Sequence, residues 1–173
     1  FLKGTIKSKV KRGKLSEKKG AFMLKNLKAS QKLEDVATCR LVVEAVIEDM
    51  KVKKNIFATL EKVTSPDCIL LSNTSTLDVD EMASALAPSR RALFAGWHFF
   101  SPAHVMKLVE IVVGKETSLA TTCVMQQLTK RIGKIGVVCG NCDGFIGNRL
   151  LISYGAETTL MLEEGVATVS SVD

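Results

Sequence analysis

Short apolar runs rich in β-branched residues alternate along this chain with longer stretches in which apolar residues recur every three or four positions. Leu41-Val42-Val43, ending in Glu44-Ala45, is unbroken apolar sequence and predicts a strand buried on both faces of a parallel sheet. Val52, Ile56, Phe57, Leu60 and Val63 then fall at helical spacing. Glu48 and Asp49 sit at the positive end of that helix, and Ser65-Pro66-Asp67 ends it. Cys68 to Leu71 predicts a second strand, whose polar exit Ser72-Asn73-Thr74-Ser75 runs into a short helix carrying Val79, Met82, Ala83 and Leu86, closed by Pro88. Ala92 to Phe94 and Lys107 to Val113 predict two further strands. A helix over 118–132 uses Leu119, Cys123, Val124, Leu128 and Ile132, and Gly136 to Cys139 predicts a fifth strand. After the glycine-bearing bend 140–144, a last helix starts near Phe145 and runs to Glu164. Upstream of all this, spaced apolar residues from Ile6 to Leu33 predict one or two solvent-facing amphipathic helices broken near Gly13 and Gly20.

Strands alternating with helices in this way indicate βαβ units, hence an α/β fold with a parallel sheet. In such sheets ligands sit beyond the carboxyl ends of the strands. That singles out Glu44, Glu48, Asn73, Ser75 and His98, each just after or at the end of a predicted strand.

Composition changes this picture little. At 173 residues, 46% hydrophobic and 24% charged, the chain can bury one core. No run approaches the roughly 20 apolar residues of a membrane span, and the N-terminus lacks the apolar centre of a signal peptide, so a water-soluble intracellular setting is expected with no membrane insertion. Charge is uneven: residues 1–28 hold ten Lys or Arg against the single acid Glu17, while the whole chain is +6. Such a run is either a solvated helix face or a partner for a phosphorylated ligand or nucleic acid. No nucleic-acid motif or aromatic interleaving accompanies it. Five cysteines in a chain without export signals argue against a disulfide framework. Cys139 and Cys142 form a C-x-x-C, which opens a zinc or redox reading, but no second ligand pair lies near in sequence and no metal is expected.

His98 follows an apolar strand, and Glu110 lies twelve residues on in the next. A strand, turn and returning strand would bring the two together. A carboxylate on one imidazole nitrogen fixes the tautomer and leaves the other to exchange a proton with a substrate hydroxyl. Read from spacing alone, His98 is more often a satisfied core residue, with Glu110 a rim charge. His104 has no evident partner and is expected on the surface.

The segment Trp97-His98-Phe99-Phe100-Ser101-Pro102-Ala103-His104-Val105-Met106-Lys107-Leu108-Val109-Glu110 resembles the active-site signature of the 3-hydroxyacyl-CoA dehydrogenases. Residues 41–48, Ser72-Asn73-Thr74-Ser75 and Asn141-Cys142-Asp143-Gly144-Phe145-Ile146-Gly147-Asn148-Arg149 are similar to the same family, in order. Ser101, where many members carry Asn, is most similar to the peroxisomal bifunctional branch, in which an enoyl-CoA hydratase is joined to the dehydrogenase.

The resemblance implies oxidation of (S)-3-hydroxyacyl-CoA to 3-oxoacyl-CoA with NAD as cofactor, in fatty-acid β-oxidation. It implies His98 as general base and Glu110 as its orienting carboxylate, with Ser75 and Asn148 hydrogen-bonding the substrate's oxygens. It places Glu48, Lys53, Asn73, Ser75 and Ser101 on the cofactor side. Without it, Ser75 reads as the cap of the following helix, Asn73 as a turn residue, Asn148 as a surface residue, and Glu48 with Lys53 as a solvated helix start. The acyl-CoA partner gives the basic segment a role, with Lys7, Lys11, Lys14 and Lys18 facing the phosphorylated end of coenzyme A.

A dinucleotide fold opens with strand, G-x-G-x-x-G and helix, and no such segment occurs here. The expectation is therefore an incomplete Rossmann-like domain over 1–142 and the first helix of an all-α C-terminal domain over 143–173. The remainder, a fused hydratase included, would belong to a longer parent polypeptide located in the peroxisome or, alternatively, the mitochondrial matrix. The competing expectation is a non-catalytic acyl-CoA-binding or structural remnant of the same fold.

Overall fold

The computed structural model of the chain describes residues 2–172. It divides into two compact units, one ending at Asp35 and the other beginning at Val36.

The first unit is a pair of helices, α1 (Leu2–Lys11) and α2 (Glu17–Asn26). Gly13, in the left-handed region at φ 68°, turns the chain between them, and the Ser16 side chain caps α2 by accepting from the Lys19 amide. Gly20 does not break the helix as its residue type led us to expect. It is buried inside α2, where a Cβ would meet Val10 Cγ2 at 2.5 Å, so its lack of a side chain is what lets the two helices close.

The second unit is built on five strands, β1 (Leu41–Glu44), β2 (Ile69–Ser72), β3 (Phe94–Phe99), β4 (Leu108–Val113) and β5 (Ile135–Gly140), in that spatial order. β1, β2 and β3 are parallel, and so are β4 and β5, but β3 and β4 pair antiparallel. The α/β expectation holds, with one correction: the sheet is mixed, because the link from β3 to β4 is a short loop without a crossover helix. β3 also starts later and runs further than expected, to Phe99, which places His98 within the strand rather than after it. β1 is not buried on both faces, since Val43 is exposed.

Helices α3 (Met50–Val63) and α4 (Val79–Ala83) cover one face, capped by the side chains of Asp49 and Asp78. Their Phe57, Leu60, Val79 and Met82 pack on Leu70, Phe94 and Val112. Pro88 does not close a helix but opens a short new one, α5 (Pro88–Arg91), from its first turn, where its missing amide costs nothing.

Helix α6 (Leu119–Arg131) covers the other face, with Met125 and Leu128 against Leu71, Trp97 and Ile111. Its buried side is not the one the apolar spacing indicated. Leu119 is 79% exposed, and Cys123, Val124 and Ile132 are exposed too, while Thr121, Thr122 and Thr129 are buried with Met125. Each buried hydroxyl has a partner: Ala92 O for Thr121, Ser118 O for Thr122 and the Trp97 indole N–H for Thr129. Helix α7 (Gly147–Glu163) buries none of its residues and exposes Leu150, Leu151, Ile152 and Tyr154; α8 (Val169–Val172) follows it. Among the described residues, no helix is long and apolar enough to cross a membrane.

Candidate active site

Side chains alternate between the two faces of a strand, and the register decides what shares the α3–α4 face. Glu44 lies opposite Ser72, Ser72 opposite Gly96, and His98 opposite Glu110. The polar groups thus gather at the carboxyl ends of β1–β3 and at their boundary with β4.

The imidazole and carboxylate expected to meet do so: His98 Nδ1 lies 2.6 Å from Glu110 Oε2, with His98 4% and Glu110 0% exposed. The other carboxylate oxygen accepts from the Ile146 and Gly147 amides, at 2.9 and 2.8 Å, where α7 begins. A buried carboxylate is tolerated when its lone pairs are used, and the N-terminal amides of a helix favour its negative charge. The His98 ring is held on one side by Phe100, centroids 4.6 Å apart, and on another by Phe145 at 5.9 Å. No described residue is hydrogen-bonded to His98 Nε2.

Gly147 makes this closeness feasible, since a Cβ there would meet Phe100 Cζ at 2.6 Å. Phe145, buried at φ 50°, is a non-glycine residue in the left-handed region, a conformation retained where the surroundings over-determine it. Sequence reasoning assigned nothing to Phe145, Ile146 or Gly147; the glycines at 144 and 147 were the signal that the backbone closes tightly here.

Asn148 Nδ2 donates to the Ser75 carbonyl at 3.1 Å, so these two expected residues are brought together. Ser75 does not cap a helix. That role falls to Asp78, and the local turn is made by Thr74, whose hydroxyl accepts from the Thr76 and Leu77 amides. Asn73 makes no local turn either: its Oδ1 accepts from the Phe99 amide at 2.9 Å, tying the exit of β2 to the end of β3.

Glu48 and Lys53 are not a solvated helix start. Lys53 is 1% exposed, with Nζ 2.7 Å from Glu44 Oε1 and 3.3 Å from Glu48 Oε2. Glu48 Oε1 accepts from the Thr74 hydroxyl at 2.5 Å and the Ser75 amide at 2.8 Å. Burial pushes the Glu48 carboxyl up, but those two hydrogen bonds and the Lys53 charge outweigh it and hold the group below the usual carboxylate range. Ser101 is exposed on the loop after β3, and no described residue bonds its hydroxyl; His104 is exposed as expected.

Burial, together with the Glu110 charge and neighbouring Cys142, pushes the Cys139 thiol up to about 11. A thiol held protonated is neither a ready nucleophile nor a ready metal ligand. Among the described residues, no three His, Cys, Asp or Glu side chains stand close enough to hold a metal ion.

The family model described as "3-hydroxyacyl-CoA dehydrogenase, NAD binding domain" matches residues 2–142, and that of the family's C-terminal domain matches residues 144–173. The chain belongs to the 3-hydroxyacyl-CoA dehydrogenase family. Among its relatives, the peroxisomal bifunctional enzyme of Danio rerio is 50% identical over 147 residues, 85% of this chain and 20% of that protein. The human peroxisomal bifunctional enzyme is 51% identical over 125 residues, 72% and 17% of the two chains. The chain therefore spans about a fifth of the length of these curated relatives. Among solved structures, 3-hydroxybutyryl-CoA dehydrogenase from Escherichia coli K12 superposes with a TM-score of 0.91 at 37% identity, covering 96% of this chain and 35% of that one.

Proposed function

We propose that the protein oxidises (S)-3-hydroxyacyl-CoA to 3-oxoacyl-CoA with NAD, and that this chain carries the residues of the proton transfer. The observation that supports this most directly is the His98–Glu110 pair, buried and oriented with Nε2 unbonded by any described residue.

The donor set fits the nicotinamide end of NAD: an ionised, half-exposed Glu48 and the polar exits of β1 and β2 lie at the carboxyl edge of the parallel strands, where dinucleotides bind. The pyrophosphate-binding G-x-G-x-x-G is not among this chain's residues. NAD, when bound, supplies the hydride acceptor. Glu48, Asn73 and Ser101 are the groups offered to it, with Lys53 acting from behind Glu48 because its ammonium is buried.

In the oxidative direction, His98 Nε2 accepts the proton of the C3 hydroxyl. The ring becomes imidazolium, and the Glu110 carboxylate, whose other oxygen is held by the two α7 amides, stabilises that charge through Nδ1–H. The Ser75 hydroxyl and the Asn148 amide position the substrate's oxygens, which lowers the entropic part of the barrier. Lys7, Lys11, Lys14 and Lys18, all exposed, supply cations for the phosphates of coenzyme A. We assign residues 1–142 to the nucleotide domain and 143–173 to the helical domain, and place the protein in the peroxisome on the names of its relatives.

The test is NADH formation by the full-length protein from (S)-3-hydroxyacyl-CoA. Absorbance at the NADH band is expected with the thioester and not with the (R) isomer; no turnover with either removes the reading.

A further inference from the structure

The groups beneath the Ser75 loop form a closed circuit, of which the roles above use only Glu48 and Lys53. The Thr74 hydroxyl donates to Glu48 Oε1; Glu48 Oε2 meets Lys53 Nζ; Lys53 meets Glu44 Oε1. Glu44 Oε2 accepts from the Ser72 hydroxyl at 2.7 Å, and the Ser72 oxygen accepts from the Thr74 amide at 3.3 Å, which returns to the starting residue. Ser72 and Thr74 are both 0% exposed.

Thr74 is the member with no capacity to spare. A hydroxyl has one proton and two lone pairs. Here the proton goes to Glu48, and the lone pairs take the Leu77 amide at 2.9 Å and the Thr76 amide at 3.3 Å, the latter shared with Glu48 Oε1 at 3.3 Å. The same Glu48 oxygen accepts from the Ser75 amide, and the Ser75 carbonyl accepts from Asn148. Ser75 is thereby pinned through its backbone on both sides, while no described residue bonds its hydroxyl.

We propose that Thr74 is a positioning residue that locks the cofactor-side carboxylate of Glu48 and the substrate-side hydroxyl of Ser75 into a single unit. It touches neither ligand. Its effect is that Glu48 cannot shift without moving the Ser75 turn, so the sites for the two reactants are set together. The inference rests on the dehydrogenase reading above.

The experiment is steady-state kinetics of the full-length protein with Thr74→Val, which keeps shape and removes the hydroxyl, and Thr74→Ser, which keeps the hydroxyl. Thr74→Val is expected to raise KM for NAD and KM for 3-hydroxyacyl-CoA together, each by about tenfold, the scale of losing one charge-assisted hydrogen bond in a buried site. Thr74→Ser is expected to restore both to within about twofold of wild type. A purely structural role would reduce the amount of active enzyme, lowering kcat with both KM values unchanged, and that result overturns the proposal. So does a rise in one KM alone. Should Thr74→Val not fold, Thr74→Cys, of similar size with a weak donor, carries the same test with the same two readouts. An inactive wild type would overturn the dehydrogenase reading and this inference with it, whereas an active wild type with an unchanged Thr74→Val overturns this inference alone.

Discussion

The Lys53 cluster at the ends of β1 and β2 and the His98–Glu110 pair on β3 and β4 share one face of the sheet, yet they are completed differently. In the first, Lys53 lies between two carboxylates and the hydroxyls of Ser72 and Thr74 take up their remaining oxygens. In the second, Glu110 is fully used by His98 and two amides, but His98 keeps one nitrogen unbonded by any described residue. Buried charge is costly unless its hydrogen-bonding capacity is filled. A cluster whose carboxylate oxygens all have partners fixes the backbone, and one that leaves a single lone pair has somewhere to do chemistry.

Stability and activity should therefore separate between the two. The largest effect expected is on stability: Lys53→Met strands Glu44 and should cost about 3–5 kcal/mol, the range for breaking a buried pair. Chemical denaturation checks it, and a loss under about 1 kcal/mol would mean that the cluster is not the fixed scaffold described here. Glu110→Gln keeps the size and removes the charge. We expect kcat to fall on the order of a hundredfold, as general acid–base catalysis loses its support, with a smaller change in melting temperature; equal fractional losses in both would erase the contrast.

Gly147→Ala probes the closure around the His98–Glu110 pair. Its Cβ would press on Phe100, which holds the His98 ring, and overpacking of this kind costs about 1–3 kcal/mol. Acid should reach the Lys53 cluster through Glu48. Its folded-state titration lies below the usual carboxylate range, so the stability it contributes is present above that range and is lost as pH falls through the lowered value. Thermal melts from pH 7 downward should show this loss, and Thr74→Val should weaken it by removing one of the bonds that lowers Glu48. The smallest effect belongs to Leu119→Ser on the exposed side of α6, within about 0.5 kcal/mol of wild type by denaturation.

Much of this arrangement could be read before any coordinates. Strands β1 and β2, helices α3 and α4 and the His98–Glu110 meeting followed from apolar periodicity and from strand-turn-strand spacing. What could not be read is chiefly the burial of polar groups, which depends on partners that the fold brings to them. Thr121, Thr122 and Thr129 face the core of α6 because Ala92, Ser118 and Trp97 complete their hydroxyls, and a periodicity count that scores threonine as polar turns the helix the wrong way. Lys53 looked like a solvated residue because its burial depends on Glu44 and Glu48 together, which only the fold brings to it. The strand-turn-strand reading around His98 and Glu110 already implied the antiparallel β3–β4 pairing, which the rule of alternation taken alone reads as parallel; the short segment between Phe99 and Leu108 has no room for a crossover helix.

The central claim is that His98 Nε2 takes the substrate proton. Turnover of (S)-3-hydroxyacyl-CoA with saturating NAD, compared between the wild-type protein and a folded His98→Ala variant, addresses it directly. Loss of kcat by about a hundred- to ten-thousandfold is the expected result; comparable rates in the two proteins would contradict it.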